Sequence, residues 1–271
     1  MTDPAPNDPA AERMPVLFVG HGSPMNAIED NAWSRAFRDL ARGLPQPRAI
    51  LAVSAHWFVD GTWLTGDARP RTIHDFGGFP DALYEIEYPA PGHRDLAARV
   101  QQLLAQRAPA AGLREDWGLD HGTWSVLVHM YPDARVPVVQ LSIDRRLDAA
   151  QHFELARSLL QLRADGVLVL GSGNVTHNLR DAFTRMQRRD DTTPDWARRF
   201  DADVAVALQQ RDRDRLVSLW PGDLGRQAHP SPDHWWPLLY AAAASDHRDA
   251  VTFPIDGFDL GSLSMRAVRF G

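Results

Sequence analysis

Apolar residues in this chain come in short, dense runs separated by stretches with helical spacing. Runs suited to buried strands occur at "VLFVG" (16–20), "AILAVS" (49–54), "VPVVQLSI" (136–143), "VLVLGSG" (167–173), "AVTFPI" (250–255) and "SLSMRAVRF" (262–270). Between them, residues 31–43 place Trp33, Phe37 and Leu40 at spacings of four and three. Residues 93–107 carry Leu96, Val100, Leu103 and Leu104 in the same manner, and 147–162 repeat it. Strands alternating with helices predict an α/β fold: a single domain with a central, largely parallel or mixed sheet flanked by helices on both faces. No internal repeat or composition break divides residues 14–271. The first 13 residues, "MTDPAPNDPAAER", hold three prolines and no apolar core, so a disordered leader is expected there rather than a signal peptide.

Composition narrows the classes. With 44% hydrophobic and 24% charged residues over 271 positions, the chain reads as an ordinary soluble globular protein. A formal charge of −6 offers no basic face, so no nucleic-acid partner is expected. "RMQRRD" and "QQRDRDR" are interrupted by acids and read as solvated helix faces. Cysteine is absent, which excludes disulfides, thiolate ligands and a cysteine nucleophile. Any metal must therefore be held by nitrogen or oxygen. No apolar run approaches the ~20 residues that span a bilayer, so no membrane partner is expected and the cytoplasm is the expected location. The pattern leaves the oligomeric state open.

In open α/β sheets, ligand sites gather beyond the carboxyl ends of the strands. His21 follows "VLFVG", His56 follows "ILAVSA", and His177 follows "VLVLGSGNVT". Three predicted strand exits thus deliver imidazoles to one edge. A fourth, His234, lies in "HPSPDHWWPLLY", where Ser231 or Asp233 suits a helix cap and Pro232 stiffens the approach. One histidine at a strand end is commonly structural; three in the same position point to a shared metal or catalytic site. His93, His129, His152 and His247 fall in helical or exposed polar patterns and need no special role.

Two loops add to this set. "TIHDFGGFP" (72–80) joins His74 and Asp75 to aromatic residues and a Gly-Gly flex, which suits a loop folding over a planar ligand. "WGLDHGTW" sets Asp120 and His121 before an apolar helix, with Thr123 as a cap candidate; a purely structural helix start explains them equally well. Trp57, Phe76, Phe79, Trp124 and Trp235 are candidates for an aromatic pocket wall or for the core. Arg71 and Arg180 are candidates for attracting a substrate carboxylate, with a surface role the stronger reading for each. "GHGSPM" and "GSGNVT" lack the last glycine of a dinucleotide-binding loop, and no Walker lysine occurs. Their glycines fit a backbone passing close to the pocket.

The ordered motifs "GHGSPMN", "SAHWF", "IHDFGGFP", "YPAPG", "DHGTW", "QLSID", "GSGNVTHNLR" and "SPDHWWPLLY" resemble those of the extradiol dioxygenases of the DOPA 4,5-dioxygenase family, within the class III, LigB-like superfamily. The resemblance runs from about Met14 to the closing "GSLSMRAVRFG" and makes 14–271 a catalytic domain. It implies a non-haem, metal-dependent enzyme that cleaves a catechol with O2 to a muconic semialdehyde. By similarity, His21, His56 and His234 are metal ligands. His177 is an acid/base group or a further ligand, and His121 is a second active-site histidine. His229 stands where relatives often have Asn and adds a competing imidazole near His234. One divalent metal ion is implied, Fe(II) for catalysis, although neutral histidines also bind Zn(II) well. The alternative is a zinc hydrolase using the same histidines. Against hydrolases, HExxH and G-x-S-x-G are both missing.

Overall fold

In the computed structural model, residues 13–271 are described; the expected leader, apart from Arg13, lies outside them. Strands β1 (Val16–Gly20), β2 (Ala49–Val59), β5 (Val138–Asp144) and β6 (Val167–Gly173) form a parallel centre. Around it, β3 (Trp63–Thr65), β4 (Gly112–Arg114), β7 (Val251–Ile255) and β10 (Ala267–Phe270) complete an eight-stranded mixed sheet, in the order β4-β3-β5-β2-β6-β1-β10-β7. β8 (Phe258–Asp259) and β9 (Leu263–Ser264) make a separate small hairpin.

The central strands are apolar on both sides, as strands covered by helices on both faces must be. Val16 and Phe18 face one core, and Leu17 and Val19 the other. The first core takes Leu96, Val100 and Leu104 from α3 (Arg94–Leu104), Leu155 from α5 (Ala149–Ala156), Phe200 and Val204 from α7 (Asp195–Gln209), and Leu238 and Leu239 from α10 (Trp236–Ala243). The second takes Phe37 and Leu40 from α1 (Ala32–Arg42) and Trp124, Val126 and Leu127 from α4 (His121–Met130). Helices α2 (Asp81–Tyr84), α6 (Leu179–Arg188), α8 (Arg213–Leu219) and α9 (Asp223–Ala228) complete the single α/β domain.

All six predicted strand runs contain strand, with one split. "SLSMRAVRF" divides because Leu263–Ser264 pairs with β8, whereas Ala267–Phe270 pairs with β1 and β7. The predicted helix at 147–162 ends as α5 at Ala156 and continues as a 3-10 turn. The three-residue strands β3 and β4 were not foreseen, being too short to show a period. Asp120 caps α4, accepting from the Thr123 N–H at 3.2 Å, a contact that stabilises a helix by about 1 kcal/mol. Among the described residues no helix is long and apolar enough to cross a membrane.

Candidate metal centre

His21, His56, His121, His177 and His234 all line one cavity of about 1080 Å³. His21 leaves β1 with its backbone N–H bonded to the Gly173 carbonyl at the end of β6, 3.0 Å away. His56 lies inside β2 where the register breaks: β2 advances from Val53 to Phe58 while β5 advances only from Leu141 to Ile143. Such a bulge re-aims side chains near a strand end. His234 comes from a short 3-10 turn whose carbonyl accepts from Asn174 N–H at 3.1 Å. The close approach depends on Gly173, where a Cβ would meet the His234 carbonyl oxygen at 2.3 Å. The glycines of "GHGSP" do something else: Gly20 and Gly22 make room for Ser264 and Met265, and Gly22 sits at φ +66°.

The rings converge. Nitrogens of His21, His56 and His121 lie within 4.8 Å of one another. The His234 ring centre is 5.1 Å from that of His21 and 5.0 Å from that of His56. His177 stacks on His234 with centres 3.4 Å apart and planes 5° from parallel. The expected ligand set placed His234 third; the ring centre of His121 is nearer to His56 than that of His234 is, 3.8 against 5.0 Å, but farther from His21, 5.7 against 5.1 Å, and His177 lies against the face of the His234 ring.

Hydrogen bonds decide which nitrogens face inward. Ser172 Oγ donates to the Gly122 carbonyl at 2.5 Å, so its contact with His21 Nδ1 at 3.0 Å is one in which the ring donates. His56 Nδ1 lies 3.1 Å from Asp75 Oδ2, and His234 Nδ1 lies 2.5 Å from Asp233 Oδ2. Each carboxylate favours a proton on the nitrogen it touches. The lone pair is thereby left on Nε2 in all three. His21 Nε2 and His56 Nε2 face each other at 3.2 Å, and His234 Nε2 is buried without a partner. Two facing lone pairs at that distance need a proton or a cation between them. Ligand nitrogens about 2.1 Å from one ion stand about 3.0 to 3.4 Å apart, so the spacing fits a shared divalent cation. Outer partners that fix the second nitrogen are the usual support of histidine ligands.

Electrostatics agree with this arrangement. Burial, with His56 and His234 adding, holds the His21 pKa well below its ordinary value. Burial lowers His234 and, with the charge of His234, lowers His177. Burial and neighbouring His56 push His121 down to about 4. His56 is the exception: burial works against it, but Asp75 and Asp120 raise its affinity for a proton. Asp75 also touches His121, accepting from its backbone N–H at 2.9 Å and lying 3.0 Å from Nδ1, without the alignment of a hydrogen bond there. Burial opposes ionisation of Asp75 and Asp233, yet their histidine contacts hold both well below the usual carboxylate range. Asp120, enclosed with Gln140, is pushed up to about 6 by burial and by the charge of Asp75.

Other expected residues separate. Phe76 and Phe79 line the cavity, whereas Trp57, Trp124 and Trp235 are core residues. Trp57 instead stacks on Trp117 at 5.5 Å. His74 turns away, its Nε2 3.0 Å from the Ile86 carbonyl oxygen. His229 does not line the cavity; its Nε2 is 2.8 Å from the Val175 carbonyl oxygen. Neither Arg71 nor Arg180 lines it. Sequence reading missed Ser172 and the pairing of Asp233 with His234, which replaces the cap expected there.

Imidazoles that converge at one edge of a mixed α/β sheet, from the end of β1, the break in β2, the start of α4 and a 3-10 turn, define a histidine-lined centre suited to one metal ion. Residues 15–260 match the family described as the catalytic LigB subunit of aromatic ring-opening dioxygenase, and the chain belongs to that family. It is 47% identical over 265 residues to the 4,5-DOPA dioxygenase extradiol of Escherichia coli K12, covering 97% of this chain and 96% of that one. To the enzyme of the same name from Beta vulgaris it is 35% identical, covering 94% and 95%. The crystal structure of an uncharacterized Escherichia coli K12 protein superposes with a TM-score of 0.82 at 42% identity, over 96% of this chain and all of that one. Ring opening by O2 replaces the zinc-hydrolase alternative.

Proposed function

We propose that the protein uses one ferrous ion, held by His21, His56 and His234, to cleave a catechol beside its diol. One ring C–C bond breaks and both atoms of O2 enter a muconic semialdehyde, so no external reductant is consumed. DOPA, named in the relatives, is a candidate substrate. The supporting observation is the common pattern of the three rings, with Nδ1 occupied by Ser172, Asp75 or Asp233 and Nε2 left toward the others.

Bound there, Fe(II) supplies the redox-active centre that lets O2 react with the ring. The chain's own residues do the rest. Three neutral imidazoles bring the cation no negative charge, so a diol losing its protons supplies it and is favoured over water. His177, neutral near pH 7 because burial lowers its basicity, accepts a diol proton and returns one to the opened product. His121, its backbone N–H held by Asp75 and its ring beside that carboxylate, lines the same cavity where oxygen atoms enter the substrate. Phe76 and Phe79, with ring centres 5.3 Å apart, give the aromatic ring an apolar wall and exclude water.

The test is anaerobic reconstitution of metal-free protein with Fe(II), followed by an oxygen-electrode assay. One O2 consumed per 4-methylcatechol, with a yellow product, is expected. No uptake with 4-methylcatechol, DOPA, caffeate or protocatechuate ends the proposal.

A further inference from the structure

The acids of the cavity fall into two groups. Asp75 and Asp233 are engaged with histidines. Glu29 and Asp259 line the same cavity and, among the described residues, pair with no arginine. All 29 basic residues of the chain are arginines, and none of them lines the cavity. The acids that act most strongly on His56 are Asp120, Asp75 and Asp233. Burial raises the pKa of Asp259, and the charge of Glu29 raises it further.

The pair is also built in. Asp259 stands on β8, paired with Leu263 of β9. That hairpin is anchored to the exit of β6 by Thr176 Oγ1 donating to the Ser262 carbonyl at 2.7 Å and Asn174 Nδ2 donating to the Ser264 carbonyl at 2.9 Å. Ser264 Oγ and the Arg266 guanidinium tie it to Asp201. Trp33 packs over Gly257, where a Cβ would meet its ring at 3.1 Å. Two carboxylates without an arginine partner, on a cavity wall that Trp33 also lines, suit an ammonium group by charge. The same cavity carries the metal centre, where His234, 4% exposed, has Nε2 without a partner.

We propose that Glu29 and Asp259, with Trp33, select catechols whose side chain ends in a primary ammonium and disfavour those ending in a carboxylate alone. This rests on the ring-cleavage reading above and adds the charge of the side chain. A carboxylate in the same place meets two like charges with no counter-ion, and the penalty falls mainly on KM.

Two measurements test it. With Fe(II)-loaded protein, kcat/KM for 3,4-dihydroxyphenethylamine is expected to exceed that for 3,4-dihydroxyphenylpropionate at least tenfold. The ratio is internal to each preparation, so partial loss of folded protein cancels. Glu29→Gln with Asp259→Asn should bring it within about threefold of one, and Glu29→Arg, at an exposed position, should push it toward the acid. Calorimetry with metal-free protein removes the dependence on turnover: tyramine should bind at least tenfold tighter than 3-(4-hydroxyphenyl)propionate, and the double variant should lose that difference. A wild-type preference for the acid, or an amine preference untouched by the substitutions, overturns the proposal. Absence of O2 uptake with every catechol overturns the ring-cleavage reading instead, and the calorimetric comparison then decides the amine preference alone.

Discussion

His152 and His229 are as thoroughly buried as His21, and the burial of each pushes its pKa down to about 4. Each has one nitrogen engaged, His152 Nδ1 with Tyr240 Oη at 3.1 Å and His229 Nε2 with the Val175 carbonyl at 2.8 Å. Each has its other nitrogen unpartnered, as does His234. What differs is the surroundings. The rings around His152 are Trp236 and Tyr240, and those around His229 are Phe200 and Trp235. His234 faces His21, His56 and His177. An unpartnered buried nitrogen is therefore a weak sign of a ligand by itself; convergence of several is the strong one.

The sharpest way to break that contrast is to truncate one histidine of each kind. His234→Ala leaves the backbone bond to Asn174 intact and should abolish metal retention and O2 uptake, with activity down on the order of a thousandfold or more. His229→Ala should keep the metal while costing about 1–3 kcal/mol of stability through the unpaired Val175 carbonyl. Metal analysis, oxygen uptake and denaturant titration read the two. Equal metal loss in both variants would erase the distinction.

Acid titration separates the regions next. His152 has a folded-state pKa of about 4 against an ordinary 6.5, because burial outweighs the attraction of Asp144 and Asp148. The unfolded chain then binds the proton more readily, so stability is complete above pH 6.5 and falls as pH drops toward 4. The loss attributable to this one residue by pH 4.5 is about 3 kcal/mol. His152→Leu should flatten that part of the stability profile of metal-free protein, measured by urea denaturation at pH 7 and 4.5, with its effect confined to stability. An unchanged slope would mean that His152 reaches solvent or a compensating charge.

Much of this contrast was legible in the sequence, because strand exits are visible as apolar runs ending in glycine or polar residues. His21 and His177 stand just past such exits, His56 follows its apolar run but lies at a break inside β2, and "SPDHWW" announced His234. Sorting the remaining histidines was not legible. His152 sits in a polar-looking helical stretch yet turns inward against Trp236, a contact between segments 84 residues apart that no local period encodes. His229, adjacent to a motif, looked like a competitor and faces the core. The outer partners were hidden for the same reason: a serine at 172 in an apolar strand hints at a buried hydrogen bond, but not with which histidine. Asp75 was visible within "IHDFGGFP", yet its span between His56 and His121 depends on how two loops meet.

That span makes Asp75→Asn the next test in size. Removing the charge weakens the hold on His56 Nδ1 and on His121 together, and outer-partner substitutions cost 10–100-fold in metal affinity or activity, so about 30-fold is expected in kcat/KM. The conservative Asp75→Glu should recover part of it only if the loop adapts. A change below threefold in Asp75→Asn would show that His56 and His121 are oriented by their backbones alone.

The smallest expected effect carries the finest information, because Ser172 fixes a tautomer rather than a position. Its hydroxyl proton goes to the Gly122 carbonyl, which leaves only its oxygen lone pairs for His21 and thereby places the ring's proton on Nδ1. Ser172→Ala removes that constraint without adding bulk, and His21, still held at its backbone by Gly173, becomes free to carry its proton on Nε2. A ring in that form has no lone pair toward His56. Metal affinity should therefore fall about tenfold, while kcat at saturating metal changes less, since a bound cation selects the productive tautomer again. A loss of kcat that persists at saturating metal would show instead that Ser172 positions the ring.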